Sequence, residues 1–190
     1  RSVHLVAEAE MGSSTWGSVP EPIAELVDLL EQRIAEHSQQ LSAIDWPSTP
    51  GDISPALLAT LRETEAVFAA AKDLRSVLTA YAHQIHHPRP VMADVARAQG
   101  ASPQAVATRY TASTVDAIKA LISASDIVSS AKPDPEQVQA AVARATSEIE
   151  RSLQSHVSEE VGAIAGLGRP AHPKVDVTNH ESLRLEVDEL

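Results

Sequence analysis

Three histidines crowd the run YAHQIHHPRP, and two of them, His83 and His87, stand four residues apart. On a helix that spacing puts both imidazoles on one face, where they can supply half of a tetrahedral metal site. The other half needs two further ligands. The chain has no cysteine, and no acidic cluster lies beside these histidines, so no metal is expected. Ser, Glu and His also crowd the run SEIERSLQSHVSEE, but along one continuous helix they cannot converge as a nucleophile with its base. Glu159 and Glu160 are adjacent and read as a solvated face. There is no GxSxG, no phosphate loop, no GxGxxG and no HExxH. An enzyme is not expected, nor is a cofactor.

The stretch ADVARAQGASPQAVATRY, residues 93–110, carries a different chemistry. Pro90 breaks the chain and Val91 opens a short helix. Gly100 is the natural residue where the backbone must turn with positive φ. Ser102 and Pro103 then cap and start a second helix. Val95, Ala96, Val106 and Tyr110 are the inward positions that lock the two helices together, with Ala96 small enough for close approach. This pattern resembles the helix-turn-helix superfamily of bacterial DNA-binding proteins: a small Ala, Gly four residues later, and an aliphatic residue six after that. The resemblance covers residues 91–110 only and names no family for the rest of the chain. Gln99 departs from it, since that position is often apolar.

The resemblance implies that the second helix, over 103–112, lies in the major groove of double-stranded DNA. Ser102, Gln104, Ala105, Thr108 and Arg109 would then face the bases. Gln pairs bidentately with adenine, Arg with guanine, and Ala or a Thr methyl meets the thymine methyl. Arg89 and Arg97 are candidate phosphate contacts, and Lys119 is a more distant one. An alanine-rich hairpin with no role in DNA binding is the alternative reading of the same residues.

A net charge of −11 argues against a polyanionic partner until its distribution is read. Residues 1–82 carry a balance of −7 and residues 124–190 one of −6. Between them, residues 83–123 carry Arg89, Arg97, Arg109 and Lys119 against Asp94 and Asp116, a balance of +2. The motif therefore occupies the sole cationic part of the chain. Salt screens over about 8–10 Å, so the local field governs a short-range contact. A balance of +2 is still thin, and tight binding calls for two copies reading two half-sites.

Four helical blocks must position these residues. The first runs from about Glu21 to Ala43, with Ile23, Val27, Leu30, Ile34, Leu41 and Ile44 on a coiled-coil seam. His37 fills the remaining slot, as a register-setting polar position or a pH-sensitive one. The second opens with Ser54 as cap and Pro55 in the first turn, and runs to about His86. Its stripe is Leu57, Leu61, Phe68, Ala71, Leu74, Leu78, Tyr81 and Ile85. The third is the motif and its continuation. The fourth, capped by Asp134, carries a stripe from Val138 to Ile164 and ends at glycines. Aromatics are only 3%, so the core is expected to consist of Ala, Leu, Val and Ile on closely packed helices.

The expected fold is all-α, a long-helix bundle with an embedded helix-turn-helix. Residues 1–20 read as a flexible segment or strand through Val3, Leu5 and Ala7. Residues 21–88 form two long helices, 89–131 the motif and the next helix, and 132–168 one long helix. The tail, 169–190, reads as a strand through Leu183, Leu185 and Val187 or as an acidic coil. With no spanning apolar run, a cytoplasmic homodimer is expected, either a DNA-binding regulator or organising factor, or an acidic helical adaptor for another protein.

Overall fold

A computed structural model describes residues 19–48 and 51–167 of the chain, and these residues form an all-helical fold with no strand among them. The two expectations of terminal strands lie outside the described residues. Seven α-helices follow in order: α1 Glu21–Ser42, α2 Ser54–Ala80, α3 Met92–Ala98, α4 Pro103–Val106, α5 Ala112–Val128, α6 Pro135–Ser152 and α7 Val161–Ile164. No helix among the described residues is long and apolar enough to cross a membrane.

Helices α1 and α2 form one hairpin and α5 and α6 another, and α5 joins the two by packing on both α1 and α2. Across the first hairpin His37, late in α1, has its Nδ1 2.8 Å from the Glu63 carboxylate of α2. The position thus takes part in a polar cross-link between the two helices rather than in an apolar seam. The seam of α1 itself turns slightly from the expected one. Ile23, Leu26 and Leu30 are buried, and Leu26 replaces Val27 as the inward residue.

The core is built as the composition demands. Ala80, Ala117, Ala124 and Ala145 let the helices approach closely, while Leu30, Ile118, Leu121 and Ile149 fill the space between them. Tyr81 is the aromatic residue buried in this cluster.

Three elements depart from the sequence reading. The start of α2 is held by Asp52, whose carboxylate accepts from the Ser54 amide at 2.9 Å; Ser54 is the first helical residue, not the cap. Second, α2 buries Ala70, Asp73, Val77 and Ala80, whereas Leu57, Leu61, Phe68 and Leu78 of the expected stripe are exposed. The helix is apolar on both sides, and its smaller side chains face the core. Third, the expected single helix over 132–168 is broken. Helix α6 stops at Ser152, Leu153 turns to extended backbone, and His156 adopts φ 51°. A 3-10 turn, Ser158–Glu160, then leads into α7.

Asp73 explains that break. Its carboxylate, 3% exposed, accepts from the amides of Gln154 and Ser155 at 2.7 and 2.8 Å. Those two donors would otherwise lack an acceptor once the helix ends. The break lets Leu153, Val157, Val161 and Ile164 all turn inward, so the expected apolar residues are buried although the helix carrying them is not continuous.

Helix α2 ends in a wide turn. Residues Tyr81–Ile85 are π-helical, and the His86 amide donates to the Tyr81 carbonyl at 2.8 Å. Tyr81 and His86 are both buried, their rings 5.3 Å apart, and the Tyr81 hydroxyl lies 3.1 Å from His86 Nδ1. Burial pushes the Tyr81 phenol above its ordinary range.

Candidate nucleic-acid interface

The turn between α3 and α4 is assembled from the residues that the sequence singles out. At the end of α3 the Ala101 amide donates to the Ala96 carbonyl at 2.9 Å and the Gly100 amide to the Arg97 carbonyl at 3.1 Å. This pair of bonds is the Schellman arrangement, and it requires the left-handed backbone that Gly100 supplies at φ 58°. Ser102 then turns extended, its hydroxyl accepts from the Ala105 amide at 3.2 Å, and Pro103 opens α4. Ala96 and Val106 are buried, and Val95 and Tyr110 are half-buried.

Gln99, the departure from the apolar pattern, has its own partner. Its amide donates to Thr79 Oγ1 at 2.8 Å, which fastens the end of α3 to α2. A polar residue fits here because the neighbouring helix offers a buried hydroxyl rather than a methyl group.

The second helix is much shorter than expected. Instead of spanning 103–112, α4 ends at Val106, and two i+3 bonds continue it: Thr108 amide to Ala105 carbonyl and Arg109 amide to Val106 carbonyl. Two neighbours end it. Tyr110 is drawn inward, where its hydroxyl lies 2.6 Å from His83 Nδ1 and accepts from Gln84 at 2.9 Å. Thr111 then starts a new helix through a reciprocal capping box with Thr114. The spacing Thr-Ala-Ser-Thr was the available signal for that boundary, with Thr in the place usually held by Glu or Gln.

This geometry sorts the expected contact residues. Ser102 is occupied as a helix cap, and the Thr108 hydroxyl donates to the Ala105 carbonyl at 2.8 Å. Ala105 is half-buried. Gln104 is exposed and Arg109 half-exposed, and neither side chain makes a hydrogen bond among the described residues. Arg89 is exposed, whereas Arg97 is paired with Asp94 at 2.6 Å. Lys119 lines a groove between α5 and α6 with Arg144 and does not join α4.

His83 turns to the Tyr110 hydroxyl, and His87 is exposed beyond the π turn. No group of three or more potential metal-binding side chains occurs among the described residues. What the sequence did not point to is a groove of about 870 Å³ between the end of α2 and α3. Its floor is Leu74, Leu78, Tyr81 and Ala82, and its far wall is Val95 and Ala98. Comparison with protein-family models, with curated proteins and with solved structures finds no match to this chain.

Proposed function

We propose that the protein binds double-stranded DNA through the unit α3–turn–α4. The observation that supports this reading is the folded turn itself. Ala96, Gly100 and Val106 take the small, left-handed and buried roles that a helix-turn-helix assigns to them, in the cationic part of an acidic chain. In such units the first turn of the second helix touches base edges, so a short α4 retains the part that reads. Gln104 and Arg109 are the base-reading side chains, suited to adenine and guanine respectively. Arg89 contacts phosphate, and Arg97 does so on release from Asp94.

Fluorescence anisotropy at low salt, with a duplex selected by the protein from random-sequence DNA, tests the reading. Binding should weaken steeply as salt rises. Replacing Gln104 and Arg109 by Ala should cost about 1–3 kcal/mol for each bidentate base pairing removed, with the helical circular dichroism unchanged. Absence of duplex binding at low salt, or binding indifferent to both changes, overturns it.

A helical adaptor is the second reading, favoured by one observation: the exposed apolar face of α2, where Phe68 is 63% and Leu61 54% exposed. A contiguous apolar face on a long helix marks a contact surface.

A further inference from the structure

The outer face of α2 holds large apolar side chains that are left exposed among the described residues: Leu57, Leu61, Phe68 and Leu78. They alternate at intervals of four and three with Thr64, Ala71 and Arg75, so the face is a continuous heptad seam along the helix. Toward its C-terminal end the seam runs into the groove against α3, whose floor includes Ala71, Leu74 and Leu78.

We propose that this seam pairs with the same seam of a second copy, the two α2 helices running antiparallel about a two-fold axis. The register follows from size and charge. With Phe68 of each copy set against Ala71 of the other, the largest seam residue meets the smallest. The same register sets Leu61 against Leu78 and Thr64 against Arg75, whose apolar stem crosses the seam while its guanidinium reaches solvent. On one flank Glu65 then faces Lys72 of the other copy, twice by symmetry. On the other flank Val67 faces Leu74. A parallel arrangement offers none of these matches, because each seam residue would meet its own copy and Phe68 would meet Phe68.

The groove has a place in this arrangement. Antiparallel pairing carries the N-terminal end of one α2 to the C-terminal end of the other. Leu57 of each copy thus arrives at Ala82 of the other, with Leu58 beside it at the mouth of the groove between α2 and α3; Thr79 itself is buried under Gln99. A helix of this length presents a strip of about 40 Å by 10 Å, or about 400 Å². That is half of the roughly 800 Å² per partner that a stable complex buries. Entry of Leu57 into the groove, with Leu58 at its mouth, widens the contact beyond the helices alone. The pairing does not rest on DNA binding, although it would supply the two copies that tight DNA binding calls for.

The full chain tests it. Sedimentation at increasing concentration should give about twice the 20.2 kDa chain mass, and Phe68→Glu should return the monomer with unchanged circular dichroism. Glu65→Lys or Lys72→Glu alone should each weaken the dimer about tenfold, and the double exchange should restore it. Because the chain has no cysteine, orientation can be read directly. Leu61→Cys and Leu78→Cys proteins should cross-link on oxidation only when mixed. A monomer at about 100 µM, a dimer indifferent to Phe68→Glu, or cross-linking of Leu61→Cys with itself overturns the proposal. So does a double exchange that fails to recover. A monomer that instead requires a different protein to cover the seam also overturns it and favours the adaptor reading.

Discussion

Replacing Asp73 by Ala should destabilise the fold by about 2–3 kcal/mol. The carboxylate accepts two backbone amides, from Gln154 and Ser155, and both bonds use the same oxygen, Oδ2. Hydrogen bonds to a charged group contribute about 1.5–3 kcal/mol each, and two bonds sharing one oxygen fall short of their sum. Two effects reduce the loss further. Removing the carboxylate also removes the cost of keeping it out of water, and Gln154 is exposed enough for its freed amide to find solvent. The low end of the range therefore applies. Asp73→Asn keeps an acceptor of the same shape and should lose only about 1 kcal/mol. Urea unfolding at neutral pH measures both values, with the slope checked for two-state behaviour. Hydrogen exchange localises them, since the amides of Gln154 and Ser155 should lose protection in the Ala variant ahead of the rest of α6. A loss below about 0.5 kcal/mol for Asp73→Ala, or an Asn variant as damaged as the Ala variant, refutes the account of how α6 is ended.

Two further outcomes are expected. At Gly100 a Cβ would meet no atom within 4 Å, so Gly100→Ala isolates the backbone effect and should cost about 1–2 kcal/mol in thermal or urea unfolding, while Gly100→Asn should cost distinctly less. Burial raises the Tyr81 phenol, so folding stability tied to it is complete below about pH 10 and is lost as pH rises through the higher folded value. Absorbance titration at 295 nm should show a late-ionising component that Tyr81→Phe removes; its persistence in that variant would contradict the assignment.

Much of the fold was legible because local chemistry governs it. The break after α1, the Gly100 turn, the Ser102 cap and the Asp134 cap, which accepts from the Glu136 amide at 3.1 Å, all rest on residues within a few positions of one another. What could not be read depends on distant partners. The end of α6 is set by Asp73, 81 residues before Gln154, and nothing in the local run LQSH calls for a break. The side of α2 that meets the core is not legible in the sequence, because both sides are apolar and the larger side chains lie on the outer one. For the candidate site, the turn and its core residues were legible. The length of α4 was not, because Tyr110 is held by His83 and Gln84 from another element. That interaction, rather than helix propensity, decides which side chains remain available at the surface.

The wide turn at Tyr81–Ile85 gives the chain one point of slack in its length. A π turn takes in one residue more than an α turn, so whatever follows sits where a chain one residue shorter would carry it on a regular helix. A single-residue deletion there can be absorbed by reverting to α geometry, and α3 and α4 would keep their bearing on α2. The same deletion inside α2 would swing every later side chain by about 100° around its axis and turn part of the outer seam away. The molecule therefore separates two tolerances that a plain helix would join: the outer face of α2 is strict about spacing, and the unit it carries can drift in length by one residue without losing its aim.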